Sequence, residues 1–118
     1  MLIPDGYVEF VGPIGTTAAF VEVDLGTEGL AIWKEKTRKY LQLALSGAFP
    51  RTFGQARFRV LVITHSERRL QSIRKTVAAT TEKIFRFSTL DDARNRFFGP
   101  VWLRTVGNQP ESLFEQLP

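Results

Sequence analysis

The chain of 118 residues is long enough for one domain and too short for two domains with independent cores. Hydrophobic residues make up 43% of it, which excludes disorder of the whole chain, and the lack of cysteine excludes disulfides and thiolate metal sites. No stretch approaches the roughly 20 apolar residues that span a bilayer, and the N-terminus has no signal-peptide pattern. The sequence therefore predicts a cytoplasmic protein without membrane contact.

The charge is unevenly distributed, although its sum is only +4. Up to Asp24 the chain has four acidic residues and no Lys or Arg, whereas residues 27–75 hold eleven basic residues and three acidic ones. A basic body holds phosphates by releasing their counterions, and an acidic pocket can hold a divalent cation. The distribution favours a nucleic-acid partner, with a plain RNA-binding or ribosome-binding domain as the alternative at this point.

Two alternating segments near the N-terminus predict a β-hairpin. Residues 6–11 and 19–25 alternate in polarity as half-buried strands do, and a segment rich in turn formers, 12–17, lies between them. Alternate residues of a strand share one face, which groups Phe20, Glu22 and Asp24.

A helix and a central strand are expected next. The helix is predicted from Thr27 to about Ser46, with Gly47 ending it. Residues 48–56 are predicted to be a loop. Residues 58–64 form a near-continuous apolar run, which is typical of a strand covered on both faces.

Four shorter elements complete the prediction. Ser66 is expected to cap a second helix that runs to about Thr81, and residues 84–88 are expected to form a strand. Residues 91–98 predict a short helix, and residues 101–105 a short strand or extended edge. The order β-β-α-β-α-β-α-β predicts a single α/β domain with a mixed sheet of four or five strands and helices on its faces.

Three carboxylates are expected to meet at one end of the hairpin. If the two strands pair as predicted, Asp5 lies beside Glu22 and Asp24, and the three charges repel one another. Mg²⁺ or Mn²⁺ suits oxygen ligands of this kind, whereas a single histidine and no cysteine make zinc a poor fit. The alternatives are an ordinary Pro-Asp-Gly turn at Asp5 and a solvated hairpin face at the other two acids.

The pattern Pro4-Asp5, hairpin, Glu22-x-Asp24 resembles the PD-(D/E)XK nuclease superfamily. That resemblance implies a restriction-endonuclease-like fold, metal ligation by the acids and a lysine that positions the attacking water. The lysine expected two residues after Glu22 is replaced here by Asp24. In several branches of the superfamily this lysine lies on the following helix, and Lys36 is the candidate, because it falls at the edge of the apolar stripe of that helix.

More narrowly, the segments IPDG, FVEVDLGTE, WKEKTRKYLQL, FRVLVIT, SERRL and PVWL resemble proteins of the replication-relaxation family, from about Ile3 to Leu103. The resemblance implies a role in replication or relaxation of plasmids and mobile elements. It also implies a helix and strand before the hairpin, or an N-terminal winged-helix region, which the three residues before Pro4 do not contain. A fragment, a minimal stand-alone version and a domain completed by a partner strand or a homodimer through an open sheet edge are the alternatives.

Two functions are consistent with these features. The first is a Mg²⁺- or Mn²⁺-dependent DNA endonuclease or nickase, with Asp5, Glu22 and Asp24 as metal ligands and Lys36 orienting the nucleophile. The second is a DNA-binding accessory protein of plasmid replication or relaxation that keeps a nuclease fold but does not cut. In both, basic side chains on the two long helices are predicted to contact DNA phosphates: Lys34, Arg38, Lys39, Arg68, Arg69, Arg74 and Lys75.

Overall fold

Four strands and four helices make up the part of the chain that the structure, a computed structural model, describes: residues 2–13, 15–55 and 57–114. In chain order they are β1 (Gly6–Gly12), β2 (Gly15–Asp24), α1 (Leu30–Ser46), α2 (Ala48–Phe53), β3 (Arg59–Thr64), α3 (Glu67–Ala78), β4 (Phe85–Thr89) and α4 (Leu90–Arg96). None of these described helices is long and apolar enough to cross a membrane.

The strands form one mixed sheet in the order β1-β2-β3-β4. β1 and β2 are the predicted antiparallel hairpin, with Gly6 opposite Val21, whereas β2, β3 and β4 run parallel. Parallel neighbours require helical crossovers, which α1 with α2 and then α3 provide. The carboxyl ends of the three parallel strands and the start of β1 therefore lie at the same edge of the sheet. The α/β class and the mixed sheet predicted from the sequence are confirmed.

One face of the sheet carries the larger core, against α1, α2 and α3. Phe20 lies at its centre, with the rings of Phe58, Tyr40 and Phe49 at centroid distances of 5.2, 5.6 and 5.8 Å. Trp33 and Tyr40 are fully buried, as the apolar stripe of α1 predicts. Each such aromatic side chain contributes on the order of 1.5–3 kcal/mol by leaving water.

The other face is covered by α4 and by the extended segment after it. Trp102 is fully buried there and donates its indole hydrogen to the Phe97 carbonyl at 2.8 Å. Leu103 forms an isolated bridge to Phe87 on β4, so the segment predicted at residues 101–105 is an extended edge and not a full strand.

The start of α1 and the structure of residues 48–53 differ from the prediction. α1 begins at Leu30, not at Thr27, because Gly29 is its N-terminal cap residue and has extended backbone angles. Residues 48–53 form the helix α2 where a loop was predicted, and this prediction was wrong. Gly47, in the left-handed conformation with φ of 75°, ends α1 and starts α2, and burial of Phe49 holds the short helix on the core.

The predicted cap of the second helix is confirmed. The Ser66 hydroxyl accepts a hydrogen bond from the Arg69 backbone N–H at 3.1 Å. This bond fixes the first turn of α3 directly after β3, and so places Arg69 at the edge where the parallel strands end.

Candidate functional site

Asp5 and Glu22 lie next to each other across the hairpin. Asp5 immediately precedes β1, and its backbone N–H donates to the Val21 carbonyl at 3.0 Å. Its carboxylate Oδ2 accepts from the backbone N–H of Val23 at 2.7 Å. The antiparallel register thus brings the first acid of the Pro-Asp motif beside the acid of β2, as expected from the sequence.

Glu22 is buried, with 2% of its surface exposed, and both of its oxygens have protein partners. Lys36 Nζ lies 3.0 Å from Oε1, and the Tyr40 hydroxyl donates to Oε2 at 2.5 Å. The same ammonium is 2.9 Å from Glu28 Oε1 and 5.0 Å from the centroid of the Trp33 ring. Residues 36 and 40 are one turn apart on α1, which is why both reach one carboxylate.

The ionisation states of this cluster follow from its contacts. Burial disfavours the Lys36 ammonium, but its hydrogen bonds to Glu28 and Glu22 outweigh burial and raise its pKa. Burial, the hydrogen bond to Glu22 and the charges of Glu22 and Asp5 together raise the pKa of Tyr40 far above its ordinary value. At neutral pH the lysine is therefore charged, and the tyrosine keeps its proton as a hydrogen-bond donor.

Asp24 lies on the same face of β2 but belongs to a different set of contacts. Arg69 makes two hydrogen bonds to it, from Nε to Oδ1 at 2.8 Å and from Nη2 to Oδ2 at 2.9 Å. Trp33 Nε1 donates to Oδ2 and the Gly26 N–H donates to Oδ1, each at 2.8 Å. Burial opposes ionisation, but the hydrogen bonds from Arg69, Trp33 and Gly26 lower the pKa of Asp24 to about 2.

The three acids therefore do not form the single carboxylate cluster that the sequence led us to expect. Among the described residues no group of three or more His, Asp or Glu side chains is placed to hold a metal ion. The Asp24 carboxylate is instead occupied by Arg69 and Trp33, and Arg69 balances its charge. The Lys36 ammonium is paired with the carboxylates of Glu22 and Glu28. Asp5 lies close enough for its charge to raise the pKa of Tyr40. Two carboxylates thus share one ammonium, and the chemistry available is that of oxygen ligands beside a fixed ammonium.

The predicted DNA contacts divide into two groups. Exposed or partly exposed positions on α1 and α3 can face a ligand: Lys34, Arg38, Lys39, Arg68 and Lys75. By contrast, Arg74 is buried and donates from Nε to the Arg104 carbonyl at 2.7 Å and from Nη2 to the Gly107 carbonyl. Arg69 donates hydrogen bonds to the Asp24 carboxylate and to the Glu28 carbonyl. These two guanidinium groups are bound within the protein, in contrast to the exposed basic residues of α1 and α3.

Sequence reasoning missed the partners of the acids. Arg69 was predicted to contact DNA phosphates, yet it holds Asp24, and Trp33 does so as well. The available signal was topological: α3 starts where β3 ends, and the first turn of such a helix lies beside the end of the parallel neighbour β2. Only the structure shows that Glu28 shares Lys36 with Glu22.

The fold and the site together define a small α/β protein with a buried carboxylate–lysine–tyrosine cluster at one edge of a mixed sheet. Residues 1–57, just under half of the chain, match the family model described as replication-relaxation, and this part of the chain is similar to that family. The matched part contains β1, β2 and α1, and with them the whole cluster around Lys36. No curated protein and no solved structure matches the chain.

Proposed function

We propose that this protein is a DNA nickase that acts in replication or relaxation of plasmid or mobile-element DNA and depends on Mg²⁺ or Mn²⁺. The observation that carries the proposal is the position of Lys36 Nζ, 3.0 Å from Glu22 Oε1, with Asp5 immediately before the neighbouring strand β1. The match of residues 1–57 to a family model described as replication-relaxation supports it, since a single-strand break is the simplest way to release supercoils.

Asp5 and Glu22 are the residues that would hold the cation. Mg²⁺ is commonly bound through one or two carboxylates, with water and substrate phosphate completing its coordination, so the lack of a third acid does not exclude it. The excess of negative charge around Lys36 attracts a dication to this edge of the sheet. When bound, the cation supplies Lewis-acid activation of a water molecule and of the phosphate.

The chain's own residues would then act as follows. The Lys36 ammonium orients the attacking water by donating a hydrogen bond to its oxygen, and it offsets negative charge that develops on the phosphate oxygens. Tyr40, protonated and buried, fixes the Glu22 carboxylate in one orientation. Asp24 has no part in this chemistry, because its two oxygens already accept four hydrogen bonds, three of which join β2 to α1 and α3 and one of which comes from the Gly26 backbone.

The same features support placement in the PD-(D/E)XK superfamily. An antiparallel hairpin leads into parallel strands, the Pro-Asp motif lies at the start of β1, and the second acid lies near the end of β2. A lysine on the following helix, Lys36, reaches that acid. In several branches of the superfamily the lysine likewise lies on this helix and not on the strand. We therefore propose a restriction-endonuclease-like fold.

A non-cutting accessory protein is the second candidate, and one observation favours it. Both oxygens of Glu22 and both oxygens of Asp24 already have protein partners, so these charges can coexist without a cation. In this candidate the cluster stabilises the domain, and the exposed basic residues of α1 and α3 bind DNA through its phosphates.

A plasmid relaxation assay separates the two candidates. Supercoiled plasmid is incubated with the protein in Mg²⁺ or in EDTA, and Glu22→Gln is compared with Glu82→Gln, at an exposed glutamate outside the cluster. We expect open-circular product in Mg²⁺ with wild type and Glu82→Gln, and a loss of about 10²-fold or more in Glu22→Gln. Salt-sensitive DNA binding without open-circular product in any condition would instead establish the accessory protein.

A further inference from the structure

A cavity of about 450 Å³ lies at the opposite end of the sheet from the Lys36 cluster. Its lining comes from the start of β2, the segment that leads into β3 and the segment that leads into β4. Thr17, on its wall, is five positions before Glu22 on β2, which corresponds to about 17 Å at roughly 3.3 Å per residue. The cavity is thus separate from the proposed catalytic site.

Of the ten described residues that line this cavity, none is acidic and four are basic: Arg57, Arg59, Lys83 and Arg86. They come from two chain segments that are more than 20 residues apart in sequence and that the parallel pairing of β3 with β4 brings side by side. Like charges held this close repel one another, and a bound anion relieves that repulsion. The lining therefore has the charge of an anion site.

Arg86 is the residue that distinguishes this cavity from an ordinary basic surface. It is only 8% exposed, and its Nε finds no hydrogen-bond partner among the described residues. Glu111 Oε1 lies 3.5 Å away, outside hydrogen-bond geometry, and that oxygen accepts a hydrogen bond from Arg104 at 2.9 Å. One carboxylate thus forms ion pairs with two guanidinium groups, so the positive charge of Arg86 on the wall of the cavity is only partly balanced.

The electrostatics of the neighbourhood agree with this geometry. Burial, and then the charges of Arg59 and Arg104, lower the pKa of Arg86 to about 10. Burial likewise lowers the pKa of Arg59. Both guanidinium groups are still charged at neutral pH, but the charged form of each is less stable beside this cavity than it is in water. The backbone at Ile84, another lining residue, is held at φ of 63°, which is uncommon for a β-branched side chain and typical of functional loops.

We propose that this cavity binds a phosphate group, with Arg57, Lys83 and Arg86 donating to its oxygens. Arginine and lysine are the side chains that phosphate oxyanions select, through charge-assisted hydrogen bonds. The phosphate is either a free ion or a phosphodiester of a DNA strand, and both present the same oxygens to the cavity. This site does not depend on the proposed nicking activity.

Direct titrations test the proposal with two probes, inorganic phosphate and a short single-stranded DNA oligonucleotide at low ionic strength. The pocket variant is Arg57→Gln/Lys83→Gln, because both positions are exposed and the fold tolerates the change. The matched control is Arg51→Gln/Arg94→Gln, which removes the same charge from exposed positions outside the cavity. Calorimetry measures affinity, and thermal melting confirms that each variant is folded.

We expect the pocket variant to bind at least one probe about tenfold or more weakly than wild type, while the control stays within about twofold. If the pocket variant binds inorganic phosphate more weakly, the site is assigned to a free phosphate ion. If only its binding of the oligonucleotide is weakened, the site is assigned to the DNA backbone. Equal weakening in the pocket variant and the control would show only a general charge effect and would overturn the site. Absence of binding of either probe to wild type would overturn it as well.

Discussion

Asp24→Ala is expected to lower the free energy of unfolding by about 3–5 kcal/mol, because it leaves the Arg69 guanidinium without its buried partner. It also removes the acceptor for the indole of Trp33, which is fully buried. Domains of this size are stable by only about 5–15 kcal/mol, so the change is a large fraction of the total. Urea denaturation followed by circular dichroism measures it. Asp91→Ala, at an exposed aspartate on α4, is the control and is expected to cost less than about 0.5 kcal/mol.

Acid titration of stability gives an independent check on the same contact. The folded pKa of Asp24 is depressed to about 2, below its ordinary value of 3.8, so its contribution is fully present above about pH 4. It is lost as the pH falls through 3.8 toward 2, and it amounts to about 2 kcal/mol. Asp24→Asn should remove that part of the acid dependence. A cost below about 1 kcal/mol for Asp24→Ala would show that the Arg69 pair does not stabilise the fold in this way.

Lys36→Met is expected to lower the rate of plasmid nicking by about 10²–10³-fold, because it removes the ammonium that orients the nucleophile and offsets charge on the phosphate. The same change leaves Glu22 buried without its counter-charge, so it also destabilises the protein. The rate is therefore measured at a temperature where the folded fraction of each variant has been verified by its melting curve.

The double variant Glu22→Gln/Lys36→Met separates the catalytic role from the structural one. It removes both charges of the buried pair, and the amide of glutamine can still accept the hydrogen bond from Tyr40. We expect thermal stability to recover toward that of wild type while nicking stays absent. A folded Lys36→Met protein that nicks within about threefold of the wild-type rate would exclude the role assigned to Lys36.

Local patterns in the sequence were sufficient to predict the hairpin and the position of Lys36 beside Glu22. Alternating polarity set the faces of β2, the turn-rich segment set the register, and this brought Asp5 beside Glu22. The helical period of α1 placed residue 36 at the edge of its buried stripe, which is where its ammonium meets Glu22. Each of these inferences needed only residues close together in sequence.

The partner of Asp24 could not be derived in the same way. Arg69 is 45 residues away in sequence, and its approach depends on the parallel pairing of β2 with β3 and on the Ser66 cap that starts α3. A repulsive acid cluster was therefore inferred where the fold supplies an internal cation. The cationic cavity was missed for the same reason, because Arg57 and Arg86 meet only through the pairing of β3 with β4. The homodimer through an open sheet edge stays a prediction.

Mn²⁺ binding, followed by loss of the free-ion signal in electron paramagnetic resonance, tests the proposed catalytic site without needing a DNA substrate. If Asp5 and Glu22 hold the cation, Asp5→Asn and Glu22→Gln will each weaken Mn²⁺ binding by about tenfold or more, and Asp24→Asn will leave it unchanged. No Mn²⁺ binding by the wild-type protein, or equal affinity in all four proteins, would contradict a metal-dependent nickase and leave the DNA-binding accessory protein.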